Sequence, residues 1–389
     1  MDGAKFAKML SDKHLFELDR MEYKYSVSSV NEFTELLRQN FAQSLPLVDF
    51  SSDELFYLPN LARISTNGMK QLLSAPASNQ SFGLQAMTEE IHATFQIESI
   101  HSSRNSIRHI LNGYAPRNEE ESRIYGMKRG LDFIADRQNT ITEENLHQLY
   151  QISTGDYLPD EDRLLPDHFY RHDVVYVVDG EESREGLPAQ QLPDAMKRLV
   201  DFANAKDGIN ELHKAAILHF AFAYYHLYFD GNGRTARLLH LWYLVQQGYP
   251  AALFTPFSRY IAESKAAYYK AYDRVEKNAL ISGYTDVTPF LSYFCNEVYN
   301  RLQVDAAPPQ ADLQVYQTAF AEGKITEKER LLWEYVLSAY GTEEFTTKQL
   351  EKDFRNAAYA TIRTFVMKFH EMGLLAARKA GNRVFYKIA

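Results

Sequence analysis

The chain has 389 residues, of which 45% are hydrophobic and 24% are charged, a balance typical of folded globular proteins rather than disordered chains. The net charge of −9 gives no overall reason to expect tight binding to nucleic acids or membranes. A single cysteine, Cys295, excludes an intramolecular disulfide and a zinc site built from several cysteines. The N-terminus is charged and no apolar stretch is long enough to cross a membrane, so we expect a cytoplasmic protein without a membrane partner.

Helical patterns dominate the first 302 residues. Residues 1–83 mix charged residues with Tyr, Phe and Leu at weak helical spacing, which predicts an N-terminal helical region. From residue 84 to residue 302, apolar residues recur at helical spacing, with breaks. Residues 172–178 (HDVVYVV) depart from this helical spacing, because they are rich in β-branched and aromatic residues and precede the turn-rich sequence DGEESREG. We therefore predict a small β-hairpin inside a mainly helical domain.

The C-terminal part of the chain has a different layout. Two adjacent prolines in DAAPPQADL (305–313) cannot continue a helix, so we predict a linker over 303–324. Residues 325–389 then contain three helical patterns and a basic segment with Gly381-Asn382 at a turn. This order is typical of a winged helix-turn-helix. The expected fold class is thus mainly α, with an N-terminal helical region, a helical core with a β-hairpin, and a C-terminal winged helix.

Two nearly all-apolar stretches, 211–229 and 238–249, enclose the polar sequence DGNGRTAR at 230–237. Such stretches predict two buried helices joined by a loop. Gly231 and Gly233 allow positive φ and a close approach of the backbone to a ligand. Successive N–H groups at the start of the second helix suit a phosphate. The loop therefore indicates an anion site rather than a simple connection.

The charged residues of this loop complete a set suited to phosphoryl-type transfer. Arg234 and Arg237 lie three residues apart, so both guanidinium groups can face one anion. Asp230 provides a carboxylate of the kind that shares Mg²⁺ with substrate phosphates. His226 ends the preceding helix and can accept a proton near neutral pH. Each residue alone is more often structural, but the combination at this spacing favours a catalytic site.

The sequence HLYFDGNGRTAR (226–237) closely resembles the signature of Fic-domain proteins, H-x-F-x-(D/E)-G-N-G-R-x-x-R. The one departure is Tyr228, where the family usually has Phe. The resemblance implies a Fic helical core over 84–302, with the predicted hairpin as its flap. It also implies adenylylation, the transfer of AMP from ATP to a Ser, Thr or Tyr hydroxyl of a target protein.

The resemblance further implies a role for each residue of the site. His226 would be the catalytic base, and Asp230 would hold Mg²⁺. Nucleotide and phosphate contacts would come from Gly231, Asn232, Gly233, Arg234 and Arg237. Tyr269, in the segment AYYKAYDRV, resembles a residue of the helix that closes the adenine pocket, and a core tyrosine is an equal alternative. The flap would align the target by strand addition, through Val174, Val175, Tyr176 and Val177.

Many Fic proteins carry an inhibitory helix with the pattern (S/T)-x-x-x-E-(G/N), and TFQIES resembles it. Thr94 and Glu98 match this pattern, whereas Ser99 replaces the usual Gly or Asn. The helix would lie near 86–99, as in the class with an N-terminal inhibitory helix. Glu98 paired with Arg237 would remove the group that holds the γ-phosphate. The resemblance thus implies an adenylyltransferase that is largely inhibited as encoded.

Other functions stay open at the level of sequence. Residues 325–389 hold eleven Lys and Arg against eight Asp and Glu, a net charge of +3. Six of these cations lie in the third helix or near the wing, which suits a DNA-binding regulator whose Fic unit modifies only itself or senses nucleotide: Arg363, Lys368, Arg378, Lys379, Arg383 and Lys387. Removal of AMP, transfer of another nucleotide, and a homodimer are further alternatives.

Overall fold

The computed structural model describes residues 1–74, 80–179, 182–305, 310–340, 344–381 and 383–388. The chain is mostly helical, and its described strands pair in three separate antiparallel hairpins. The mainly α fold class is therefore confirmed. Among the described helices, none combines the length and the apolar character that crossing a membrane requires.

The N-terminal region was predicted to be helical, but it also contains a β-hairpin. In QSLPLV, Leu45 and Leu47 are fully buried while their neighbours are more exposed, which is the two-residue alternation of a strand. The Asp49 carboxylate accepts hydrogen bonds from the backbone N–H groups of Ser51 and Asp53 and so closes the turn. The elements of this region are α1 (Gly3–Leu10), α2 (Leu18–Tyr25), α3 (Val27–Phe41), β1 (Gln43–Val48), β2 (Glu54–Tyr57) and α4 (Thr66–Ser74).

The helical core that follows holds the predicted flap hairpin. The first strand of this hairpin begins at Tyr176 rather than at residue 172. It pairs with a second strand at 182–185, and Tyr176 lies opposite Glu185. The elements of the core are α5 (Gln80–Ile97), α6 (Arg104–Leu111), α7 (Glu119–Ala135), α8 (Glu143–Ser153), β3 (Tyr176–Asp179), β4 (Glu182–Glu185), α9 (Leu192–Asn204), α10 (Glu211–Tyr225), α11 (Asn232–Gln246), α12 (Phe257–Glu263), α13 (Lys265–Ser282), α14 (Thr288–Tyr293), a π-helical turn (Phe294–Tyr299) and α15 (Asn300–Asp305).

Helices α10 and α11 form the centre of this core. Thirteen residues of α10 and thirteen of α11 are buried, so neither helix has a solvent face. Such all-round burial is what the two apolar stretches predict. It also forces two charged side chains, Arg234 and Arg237, into the interior, with only 3% and 4% of their surface exposed. Buried cations need anionic or polar partners, which makes the start of α11 the natural place to look for a site.

The C-terminal residues form three helices and a hairpin, in the order that the sequence predicts. These elements are α17 (Glu327–Ala339), α18 (Thr347–Phe354), α19 (Tyr359–Glu371), β5 (Leu375–Ala380) and β6 (Arg383–Ile388). Phe345 adds an antiparallel bridge to Tyr386 at the edge of this hairpin. The expected turn has Gly381 at φ +59°, while Asn382 lies outside the described residues.

The region expected to be a linker holds one more helix, α16 (Gln310–Ala321). The two prolines of that segment, at 308 and 309, lie outside the described residues. The C-terminal unit has a separate core, in which Leu332, Val336 and Phe365 are fully buried. Its helix α17 packs directly against α5. The C-terminal unit therefore contacts the helix that carries the inhibitory pattern.

Candidate active site

The loop between α10 and α11 is held in a strained and compact shape. Helix α10 ends at His226, which adopts the left-handed conformation with φ +56°, and Gly231 does so with φ +81°. A non-glycine residue in this conformation is uncommon and marks a position that the surrounding structure enforces. The Asn232 side chain closes the loop, because its Oδ1 accepts from the Tyr228 N–H at 2.9 Å and its Nδ2 donates to the Tyr228 carbonyl at 2.8 Å. The Asn232 amide group thus stabilises the loop itself.

The two glycines of the loop lie where no side chain fits. A Cβ atom at Gly231 would lie 2.3 Å from Cγ2 of Thr154, at the end of α8. A Cβ atom at Gly233 would lie 2.8 Å from the Glu98 carboxylate and 3.2 Å from the Arg237 guanidinium. Gly231 therefore requires glycine both for close approach and for its positive φ, whereas Gly233 lies inside α11 and requires glycine for close approach alone.

The start of α11 combines a helix N-terminus with two buried arginines and one carboxylate. The first backbone N–H groups of α11 have no partner within the helix and carry its positive dipole end. The Asp230 Oδ1 accepts from the Gly231 N–H at 2.5 Å, and Oδ2 accepts from Arg234 Nη2 at 2.8 Å. The Asp230 side chain is 49% exposed. It can thus reach a hydrated ion at the mouth of the site, where Mg²⁺ typically keeps several waters and binds one or two carboxylates.

Glu98 fills the anion site from the end of α5. Its Oε2 lies 2.6 Å from Arg234 Nε, and its Oε1 lies 2.5 Å from Arg237 Nη2. Burial would lower the pKa of Arg237, but the Glu98 carboxylate outweighs it and raises that pKa. Thr94, one turn earlier and fully buried, accepts from Arg237 Nε through its hydroxyl at 2.5 Å and from Arg237 Nη2 through its carbonyl at 3.2 Å. One carboxylate therefore engages both arginines, whereas the sequence pattern indicated Arg237 alone.

Helix α13 holds the end of α5. Ser99 adopts φ +59°, the left-handed conformation that Gly and Asn tolerate best, which explains why those residues would be favoured at this position. The Lys265 ammonium donates to the Ser99 hydroxyl at 3.0 Å. The Tyr269 hydroxyl donates to the Ile97 carbonyl at 3.4 Å, so Tyr269 lies beside the end of α5. Sequence reasoning missed Lys265, because a contact across 166 residues leaves no local pattern.

A buried arginine, Arg171, links the hairpin to the 226–237 loop, and sequence reasoning missed it as well. Its guanidinium donates through Nε to the His226 carbonyl at 2.7 Å and through Nη1 to the Asp173 carbonyl at 2.8 Å. Its Nη2 donates to the Leu187 carbonyl on the other side of the flap. Its backbone N–H donates to the Leu227 carbonyl at 3.1 Å. The only sequence signal was an arginine immediately before the predicted hairpin segment.

The flap residues differ in exposure. Val174 and Tyr176 are 53% and 63% exposed, while Val175 is half-buried and its carbonyl accepts from the Gly186 N–H at 2.9 Å. The side chain of Val177 lies outside the described residues. A Cβ atom at Gly186 would lie 3.4 Å from Cβ of His226. The base of the flap therefore borders the histidine.

Tyr228 stacks on Tyr150 of α8, with ring centroids 3.5 Å apart and an angle of 10° between the rings. Tyr228 is fully buried, and burial raises the pKa of its hydroxyl well above the usual range. No described residue forms a hydrogen bond with the hydroxyl of either tyrosine. The extra oxygen relative to phenylalanine is thus buried without a partner in the described part of the chain.

Comparison with known proteins finds similarity over the part of the chain that contains this site. Residues 140–244 match the model of the Fic/DOC family. Over 102 residues the chain is 29% identical to protein adenylyltransferase fic-1 of Caenorhabditis elegans, covering 26% of this chain and 18% of that protein. Over 181 residues it is 24% identical to the Caenorhabditis briggsae protein of the same name, covering 45% of this chain and 31% of that protein. The chain thus spans less than a third of the length of these curated relatives.

The fold is also similar to a solved structure. A Fic family protein from Desulfovibrio desulfuricans G20 superposes with a TM-score of 0.51 at 17% sequence identity. The similarity covers 85% of this chain and 95% of that chain, which extends the shared architecture beyond the matched domain. The family match spans the flap, α10, the 226–237 loop and most of α11, which are the elements that build the site. The similarity to the Fic/DOC family is therefore located in the part of the chain that builds the site.

Proposed function

We propose that this protein transfers AMP from ATP to a hydroxyl of a target protein. The observation that carries the proposal is the anion site at the start of α11, where two buried arginines and a helix N-terminus surround the Glu98 carboxylate. A site that holds one carboxylate between two buried guanidinium groups is suited to a polyphosphate. The names of the fic-1 relatives support adenylyl transfer as the reaction.

The proposed reaction assigns a role to each residue of the loop. The target hydroxyl oxygen attacks the α-phosphorus and forms the new P–O bond, the bond to the β-phosphate bridge breaks, and pyrophosphate leaves. His226 accepts the proton of the hydroxyl. The backbone N–H groups of Gly231, Asn232 and Gly233 stabilise the charge on the phosphate oxygens. With His226 fixed by its backbone conformation, the reacting groups need little further ordering.

The charged residues of the loop bind the remaining phosphates. Arg234 binds the β-phosphate region, and Arg237 pairs with the γ-phosphate. Asp230 would hold Mg²⁺, which would supply positive charge to offset that of the phosphates. Among the described residues, no group of three or more His, Cys, Asp and Glu side chains forms a metal site. This fits an ion that is shared with substrate rather than enclosed by protein.

In the proposed inhibited state, Glu98 competes with the nucleotide. Because its carboxylate occupies both Arg234 and Arg237, ATP cannot place its terminal phosphates without displacing it. Tyr269 lies beside the end of the same helix, where it bonds the Ile97 carbonyl and lines the approach to the nucleotide site. The target segment pairs with the flap by strand addition near Val174 to Val177, which presents the hydroxyl to His226.

The test is intact-mass measurement of the Glu98→Gly protein incubated with Mg²⁺ and, separately, with ATP, GTP, CTP or UTP. We expect a mass increase of one AMP with ATP, because removal of the carboxylate frees the arginines. The Glu98→Gly/His226→Ala protein serves as the matched control and should stay unmodified. An unmodified Glu98→Gly protein that is folded would contradict the proposal, and another added mass would identify the transfer of another nucleotide as the function.

The C-terminal unit supports a second candidate, a DNA-binding regulator whose Fic unit modifies itself or senses nucleotide. Its three helices and hairpin have the winged-helix order, and Arg363 is exposed on α19. However, Lys368 is paired with Glu329 at 2.8 Å, and Arg378 is paired with Glu344 at 2.5 Å, which lowers the positive charge available to phosphates. A gel shift with random-sequence duplex DNA that weakens as salt rises would support this function. Labelling of other proteins in a lysate would support the enzyme.

A further inference from the structure

The net negative charge of the chain is concentrated in one segment. Residues 155–186 contain ten Asp and Glu against three Arg and no Lys, a net charge of −7. The remaining 357 residues together carry only −2. A charge so unevenly distributed produces a local field that acts on whatever approaches this segment.

The two ends of this acidic segment lie on two sides of the catalytic loop. The segment begins next to Thr154, whose side chain lies against Gly231. It ends at Gly186, where a Cβ atom would lie 3.4 Å from Cβ of His226. In between, the ring of His172 lies 5.3 Å from that of Phe229. The acidic segment thus frames the surface from which a target reaches His226.

Of the three arginines of the segment, the two whose side chains the structure describes do not neutralise this surface. Arg163 is paired with Asp160 at 3.0 Å. Arg171 is buried and donates to three backbone carbonyls. Several acids of the segment are solvent-exposed and form no ion pair with a described side chain: Glu161, Asp167, Asp173 and Glu185. Since no metal-binding group of three occurs among the described residues, the acidity is spread over a surface rather than gathered around an ion.

The same surface contains a strand edge that can receive a peptide. The flap consists of two described strands only, so each strand has one edge without a strand partner. Val174 is exposed just before this hairpin, and Tyr176, its first residue, is exposed and pairs with Glu185 in the strand register. Main-chain pairing selects for extended shape but not for sequence. Charged side chains beside the strands therefore provide the selectivity that the strand edge lacks.

We propose that the acceptor is an extended segment of a target protein with lysines and arginines on both sides of the modified hydroxyl. This inference rests on the proposed function and adds the class of its protein substrate. Opposite charges accelerate the encounter of target and site, and acidic segments are rejected by repulsion.

The test uses the full-length Glu98→Gly protein with Mg²⁺, radiolabelled ATP and three synthetic peptides of equal length. Each peptide has one central serine, flanked by lysines, by glutamates, or by alanines and glycines. We expect the lysine peptide to be labelled about tenfold faster than the glutamate peptide at low salt, with the neutral peptide between them. The preference should diminish as the salt concentration rises. Equal rates for the three peptides, or a faster glutamate peptide, would overturn the inference.

A charge-reversed variant links the preference to this surface. Glu161→Lys/Glu185→Lys changes one exposed acid on each side of the loop, and neither residue takes part in the proposed chemistry. The matched control is Asp132→Lys/Asp201→Lys, two exposed acids on α7 and α9, 55% and 65% exposed. Both pairs change the total charge equally. Loss of the lysine preference in the first variant alone would support the inference, and loss in both or in neither would overturn it.

Self-labelling in the same reactions separates this inference from the proposed function. If the Glu98→Gly protein labels itself with ATP but shows no preference among peptides, the inference fails and the proposed function stands. If it labels neither itself nor any peptide, the proposed function fails, and the inference fails with it. A peptide preference together with self-labelling supports both.

Discussion

The carboxylate of Glu98 and the guanidinium of Arg237 form an ion pair, with 2.5 Å between Oε1 and Nη2, where Arg237 is 4% exposed. The same carboxylate also approaches Arg234. Removing one partner of a buried ion pair leaves an uncompensated charge, which destabilises a protein by about 3–5 kcal/mol. Loss of this contact is therefore expected to destabilise the protein and, under the proposed competition with ATP, to change its response to nucleotide.

We expect Glu98→Gly to lower the melting temperature in the absence of nucleotide, because two buried arginines lose their anion. Mg²⁺ with ATP should restore more stability to this variant than to the wild type, since the phosphates then need not displace a carboxylate. Thermal unfolding with and without nucleotide measures both effects. His226→Ala, which keeps the ion pairs, is the control and should respond like the wild type. Equal stabilisation of all three proteins by ATP would contradict competition between Glu98 and the nucleotide.

Arg171 is expected to act as a positioning residue for His226 and the flap. In the Glu98→Gly background, Arg171→Lys should keep the positive charge but lose the fork that spans three carbonyls. A displacement of about 1 Å in the reacting groups can slow a reaction roughly 100-fold, so we expect a fall of this order in the self-labelling rate. The measurement is the initial rate of label incorporation, with circular dichroism to verify folding.

Arg163→Lys provides the matched control for Arg171. Arg163 is exposed, lies in the same segment and pairs with Asp160, so its replacement should leave the rate nearly unchanged. A positioning role also predicts that the concentration of ATP for half-maximal rate changes little while the maximal rate falls. A rise in that ATP concentration with an unchanged maximal rate would assign Arg171 to nucleotide binding instead.

The buried hydroxyl of Tyr228 predicts that phenylalanine is the more stable choice at this position. Because no described residue bonds to this hydroxyl, Tyr228→Phe should raise the free energy of unfolding by about 1 kcal/mol. Tyr299→Phe is the matched control, since its equally buried hydroxyl donates to the Leu212 carbonyl at 2.8 Å and contacts His240 Nε2 at 2.8 Å. The free energy of unfolding of Tyr299→Phe should fall by about 1 kcal/mol. Urea unfolding of both variants measures these two changes. A lower free energy of unfolding for Tyr228→Phe would show that the hydroxyl of Tyr228 has a partner.

Two buried histidines, one in α10 and one in α11, predict an acid-sensitive core. Burial lowers the pKa of His240 to about 3. The pKa of His219 is lowered well below 6.5, mainly by burial and secondly by the charge of His240. Between pH 6.5 and about 3, the unfolded chain therefore binds more protons than the folded one. The stability that these neutral rings provide is present above pH 6.5 and is lost as the pH falls through this window.

His240→Gln removes one titrating group and keeps a polar partner for Tyr299. We expect the free energy of unfolding of this variant to fall less steeply as the pH falls. The slope of this free energy against pH measures the difference in bound protons between the unfolded and folded states, and it should decrease by up to about one proton. Urea unfolding at a series of pH values gives this slope. His101→Gln, at an exposed position, should leave the slope unchanged. An identical slope for His240→Gln and the wild type would mean that this ring does not cause the acid sensitivity.

The sequence alone determined the features that depend on neighbouring residues. The apolar character of 211–229 and 238–249 predicts the burial of α10 and α11, and the loop between them displays its glycines and charges in one short stretch. The flap hairpin and the order of the C-terminal elements also follow from local patterns, and the structure confirms a mainly helical fold. By contrast, the alternation of Leu45 and Leu47 was too short a signal to predict the first hairpin.

Only the tertiary structure decided which distant groups share the site. Glu98 reaches Arg234 as well as Arg237 because α5 packs against the start of α11, across more than 130 residues of chain. Arg171 bonds the His226 carbonyl across 55 residues, and Lys265 reaches Ser99 across 166. Local propensity is encoded in adjacent residues, whereas the pairing of buried charges depends on how helices pack. The loop could therefore be found from its sequence, and the groups that occupy and position it could not.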